Sequence, residues 1–147
     1  MSTPTRALLT LLTLLLSLSA LPLQAADASK RMFINLTSDD TDRAAMAIKL
    51  AQNVLAERKI PVTIFLNVEG VRIANKAIPQ NKHLDGKTNQ ELLREFMKNG
   101  GRVIICPLCM DNIGGFGRKD LMKGVEMGGP GVTFPALLDG DVVVLSY

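Results

Sequence analysis

The chain has 147 residues, enough for one domain with a substantial core. Five Phe, one Tyr and no Trp leave little material for stacking on nucleic-acid bases. The formal net charge of +3 drops by one if Arg6 is lost with the N-terminal segment, a field too weak to argue for nucleic acid or a membrane surface as partner.

The N-terminus has the layout of a secretory signal. Arg6 supplies the positive region, residues 7–20 form a Leu-rich apolar run, and Leu21-Pro22-Leu23-Gln24-Ala25 is a breaker followed by small residues. A run of about 14 apolar residues is short of the roughly 20 that span a bilayer. A cleaved signal over residues 1–25 is therefore expected, with the cut between residues 25 and 28, a periplasmic or secreted product and no stable membrane anchor. No Cys follows the run, so no lipid attachment is expected there.

The mature part alternates strand and helix signals. Residues 30–36, with Met32-Phe33-Ile34, read as a strand. Thr37 to Thr41 is polar and rich in residues that cap helices. Residues 42–58 follow as a helix, with Ala44, Ile48, Ala51 and Leu55 at helical spacing and Pro61 barring continuation. Residues 62–68 are β-branched and aromatic, a second strand, and residues 69–76 a short helix. A polar loop over 77–87 contains Pro79, His83 and Gly86. Thr88-Asn89-Gln90-Glu91 is a capping box that opens a helix carrying Leu92, Leu93, Phe96 and Met97, ended by Gly100-Gly101. Residues 102–105 form a short apolar strand that runs straight into Cys106. Residues 119–123 suggest one helical turn, 125–127 a fourth strand, 135–138 a short helix with Thr133 as cap, and 142–146 the last strand.

This alternation, with strands that are continuously apolar, indicates an α/β fold on a parallel sheet covered on both faces. Ligand sites in such folds lie at the carboxyl ends of the strands. Three loops would meet there: 37–41, 67–70 and 106–115. That places Cys106-Pro107-Leu108-Cys109 on the functional edge. Pro107 suits the first helical position, which makes Cys106 the cap residue, and a helix start favours a thiolate; a lowered Cys106 pKa is expected.

Cys106 and Cys109 are the only cysteines. A disulfide between them closes almost no loop and so stabilises little by chain entropy. Redox, sulfur-transfer or metal chemistry explains the pair better, with Cys109 placed to resolve a persulfide or sulfenate on Cys106. A thioredoxin arrangement fits poorly, because too few residues separate Cys109 from Pro135 for the intervening elements and the cysteines come after two complete βα units. Zinc wants four ligands, and the single His83 sits in a distant loop. Copper(I) could use both thiols with Met110. No resident cofactor or metal is expected.

Residues from about 31 onward resemble the DsrE/DsrF-like sulfur-relay family. The features run in order: Met32-Phe33-Ile34-Asn35 with its long first helix, the strand Arg102-Val103-Ile104-Ile105-Cys106, then Asp120-Leu121-Met122-Lys123-Gly124-Val125-Glu126-Met127, and Leu137-Leu138-Asp139-Gly140-Asp141-Val142-Val143-Val144-Leu145. The resemblance implies one domain over residues 30–147, a three-layer α/β/α sandwich with a mainly parallel five-stranded sheet, and homo-oligomers, trimers or hexamers. It also implies that Cys106 carries a persulfide and passes sulfane sulfur on. Relay members act in the cytoplasm and lack the second cysteine, so a tRNA-thiolation role does not transfer directly.

The remaining polar residues read more simply. Asp39, Asp40 and Asp42 cap the first helix. His83 belongs to a surface loop that could close over Cys106. Gly114, Gly115 and Gly117 are turns, lacking dinucleotide-fingerprint spacing, and Arg118 and Lys119 form a solvated face. The expectation is an exported protein handling sulfane sulfur or thiol redox through Cys106 as acceptor and Cys109 as resolving thiol, its partners a sulfur donor or acceptor protein or a small sulfur compound. The alternative is a non-enzymatic oligomeric protein that binds copper(I) or a protein partner.

Overall fold

Five parallel strands make one sheet in the order β4-β3-β2-β1-β5. They are β1 (Lys30–Leu36), β2 (Val62–Leu66), β3 (Arg102–Ile105), β4 (Glu126–Met127) and β5 (Asp141–Ser146). The computed structural model describes residues 30–147; the expected signal segment lies outside the described residues. β1 pairs with β2 and β5 in parallel register, Ile34 facing Ile64 on one side and Leu145 on the other. The strand order turns outward from β1 in both directions, which is where a crevice opens at the carboxyl ends.

One face of the sheet is covered by α1 (Thr41–Asn53) and α2 (Asn89–Lys98). Period-two alternation turns Ile34, Leu36, Val62, Ile64, Leu66, Val103 and Ile105 to this side. They meet the small residues Ala44, Ala47 and Ala51 of α1 and the larger Leu92, Leu93 and Phe96 of α2. Asp40 caps α1, accepting from Arg43 N at 2.9 Å. The expected continuous helix to residue 58 changes pitch: Val54–Arg58 is a wider π-helical turn, ended by Lys59 in the left-handed region at φ 56°. The capping box at α2 is complete, with Thr88 Oγ1 accepting from Glu91 N and Thr88 N donating to Glu91.

Among the described residues, the opposite face is covered by α4 (Pro130–Leu138), where Phe33, Ile104 and Ala136 form a smaller buried cluster. This helix departs from expectation. It starts at Pro130, five residues before the proposed start, and Pro135 lies inside it. Pro130 occupies the pre-organised first position, so the helix begins where proline's missing N–H is no loss. The single helical turn expected over residues 119–123 is a 3₁₀ turn at Arg118–Asp120.

Candidate functional site

The three loops expected at the carboxyl edge do meet. Thr37, just after β1, donates from N and Oγ1 to Tyr147 O beyond β5, at 2.8 and 2.6 Å. After β2, Asn67 N donates to Leu36 O and Gly70 N to Thr37 O, at 3.0 and 3.1 Å. After β3, Cys106 N donates to Leu66 O at 2.9 Å. Gly70 is required here: a Cβ would stand 2.2 Å from Leu36 O.

Cys106 is the cap residue of α3 (Pro107–Cys109), with Pro107 in the first position, as the dipeptide order suggested. Its Sγ accepts from Cys109 N at 3.2 Å. The Cys109 thiol donates to Asn67 Oδ1 at 2.9 Å, and the same oxygen accepts from Val68 N at 2.9 Å. Both cysteines are free and half-buried, and Leu108 between them is 72% exposed. One thiol thus accepts a backbone N–H while the other acts as donor, so the pair is chemically inequivalent before any reactant arrives.

The expected lowering of the Cys106 pKa is corrected. Burial pushes this thiol up, the neighbouring Cys109 side chain adds to the rise, and the backbone N–H groups of Cys109 and Leu108 offset only part of it. α3 runs straight on into the π-helical turn Met110–Gly114, and burial outweighs what the N–H groups at its start offer the sulfur.

Two positioning residues carried no sequence signal. Val68 has φ 48°, a rare and costly conformation for a β-branched residue, and strain of this kind concentrates at functional sites. It turns the chain so that Asn67 reaches Cys109. Arg72 reaches from the 3₁₀ segment Val68–Ala74 to Asp39 at 3.2 Å and to Ile113 O at 3.4 Å, bracing the cysteine-bearing turn against the β1–α1 loop. Only tertiary proximity reveals either role.

Met110 stays beside the thiols: it is 2% exposed, its N donates to Cys106 O at 2.9 Å, and Cys109 packs against the same core cluster. Among the described residues, no group of three His, Cys, Asp or Glu side chains could hold a metal ion. His83 sits in a surface loop, as expected, but its side chain is turned inward: it is 13% exposed and lies between Asp42 at 3.5 Å, Asp85 at 3.6 Å and Lys49 at 3.4 Å. Its loop is fastened to α1 and α2 through Lys49–Asp85 and Lys87–Glu95 ion pairs, 2.7 and 2.8 Å. Arg118 and Lys119 are exposed.

A family model for the DsrE/DsrF-like family matches residues 30–145. The chain belongs to the DsrE/DsrF-like family. Similar solved structures agree on the fold. The ychN protein from E. coli is 21% identical, with a TM-score of 0.64, covering 80% of this chain and 99% of its own. A protein of unknown function, MTH1491 from Methanobacterium thermoautotrophicum, is 16% identical with a TM-score of 0.60, covering 79% and 99%. No curated protein matches the chain. In this DsrE/DsrF-like domain the sheet is parallel throughout, the form of α/β/α sandwich expected from the sequence.

Proposed function

We propose that this protein handles sulfane sulfur, with Cys106 as the acceptor and Cys109 as the resolving thiol. The observation that carries the reading is the inequivalent pair on the open carboxyl edge, one sulfur accepting an N–H and the other donating to Asn67. Family membership supports it.

The chemistry is thiolate attack on sulfur. Cys106 loses its proton to solvent and attacks a sulfane sulfur, giving Cys106–S–SH and releasing the donor's remaining sulfur as thiolate. Cys109 can then attack the Cys106 sulfur, forming the disulfide and releasing hydrosulfide. In the absence of that second step the outer sulfur is available to an acceptor. The exposed Leu108 offers an apolar contact for a protein donor or acceptor.

The reading includes export and self-association. The leader pattern at residues 1–25 supports export; N-terminal sequencing of the extracytoplasmic protein should begin between residues 26 and 29. Phe134 and Leu138 on the outer face of α4 and Val143 on the edge strand β5 are exposed apolar residues suited to contact between copies. Sedimentation should then show a trimer or hexamer.

Mass spectrometry after incubation with inorganic polysulfide tests the central claim. Expected is a gain of about 32 Da on Cys106, one sulfur atom, that accumulates in Cys109→Ser and is absent in Cys106→Ser. An unmodified Cys106 in both the native protein and Cys109→Ser would leave a binding module in place of a sulfur carrier.

A further inference from the structure

Between α4 and the sheet lies a cavity of about 280 Å³, at the small end of ligand sites. β1, β2, β5 and α4 all contribute to it, and none of its lining residues carries a charge. Phe33, Phe65, Leu137 and Val144 supply apolar walls. The two Phe rings pack at 5.8 Å between centroids and are tilted by 39°.

Two amides, Asn35 and Asn67, and two hydroxyl residues, Thr133 and Ser146, complete the lining. Asn35 Oδ1 is buried and has no hydrogen-bond partner, a condition that few buried polar atoms tolerate. Asn67 is also part of the wall, and it is the residue that holds the Cys109 thiol. The cavity therefore shares a residue with the sulfur site.

We propose that this cavity binds the uncharged, apolar body of a small organic persulfide, R–S–SH, beside the sulfur site with which it shares Asn67. This rests on the sulfur-handling role and assigns its substrate class. In the transfer, the Cys106 thiolate bonds to the outer sulfur as the R–S to SH bond breaks. The products are Cys106–S–SH and R–S⁻, which takes a proton from solvent, and no outside oxidant or reductant enters. Anionic donors such as thiosulfate find no cationic side chain in this lining.

Binding is tested without sulfur chemistry, on full-length Cys106→Ser/Cys109→Ser protein titrated with benzyl alcohol or benzoate in TROSY spectra. Benzyl alcohol should shift the amides of Asn35, Phe65, Asn67 and Leu137 saturably, and benzoate should bind at least tenfold more weakly. Transfer is tested on otherwise native protein. Leu137→Phe, which fills the cavity, should slow transfer from 4-hydroxymethylbenzyl persulfide at least tenfold and leave inorganic polysulfide unaffected. No saturable shift at those four amides, equal affinity for benzoate, or equal slowing of both donors overturns the inference. Cys106 persulfidation with no cavity binding sinks the cavity alone; cavity binding with no persulfide from any donor sinks the sulfur role and the substrate assignment with it.

Discussion

Gly70→Ala should be among the most damaging single-methyl changes in the protein. The added Cβ would lie 2.2 Å from Leu36 O and 3.0 Å from Leu36 C, both backbone atoms of a fully buried strand residue. Ordinary contact begins beyond 3.4 Å, so the two segments must part by more than 1 Å. That movement opens Gly70 N to Thr37 O and Asn67 N to Leu36 O. Overpacking costs about 1–3 kcal/mol and each lost hydrogen bond about 0.5–1.5 kcal/mol. The sum is roughly 2–6 kcal/mol, or a fall in Tm of about 8–24 °C for a domain of this size. The same displacement carries Asn67 away from Cys109 Sγ, so alkylation kinetics of the cysteines should change with it. Thermal unfolding followed by circular dichroism measures the first effect. Gly131→Ala is the control: its Cβ meets nothing within 4 Å, and its stability should stay within about 1 kcal/mol of the parent. The close-approach argument would be refuted if Gly70→Ala unfolded within 2 °C of that control.

Three more outcomes follow from the geometry. Iodoacetamide should alkylate Cys106 with a midpoint above that of an ordinary thiol, because burial and Cys109 both hold the proton on; in Cys109→Ala the midpoint should fall, since one cause is removed while burial remains. Asp85 is held at about 2, below its ordinary value of 3.8, first by the Lys49 side chain and then by Lys87 N. Its folded pKa is depressed, so its contribution is present above pH 3.8 and is lost as the pH falls toward 2; hydrogen exchange in the 77–87 loop should rise across that window, and Asp85→Asn should abolish the pH dependence. Thr88→Ala removes both bonds of the Thr88 hydroxyl, to Glu91 N and to the Glu91 carboxylate, and should cost about 1 kcal/mol in urea unfolding, against little change for Lys98→Ala at the far end of α2.

Local chemistry was enough to read much of this protein. The apolar runs at Met32-Phe33-Ile34 and Val103-Ile104-Ile105 located strands because the pattern of burial is imposed residue by residue. Cys106-Pro107 located a helix start because proline's fixed φ and missing N–H suit only a few backbone positions. Alternation of the elements then placed the thiols on the carboxyl edge. What the order of residues did not contain was the balance of forces at each group after packing. Whether burial or backbone N–H groups decide the Cys106 pKa depends on how much water the fold excludes from that sulfur. The partnership of Cys109 with Asn67, 42 positions earlier, exists because β2 and β3 are neighbours and Val68 is forced to turn. His83 is enclosed by Asp42, Lys49 and Asp85 only once its loop is docked on α1. α4 begins at Pro130, itself a proline at the first helical position, and runs on through Pro135 to carry Ala136 against Phe33 and Ile104, a packing constraint that the Thr133-Phe134-Pro135 cap motif did not express. Short-range geometry is written in neighbouring residues; solvent exclusion and contacts between distant segments arise only when the sheet is assembled.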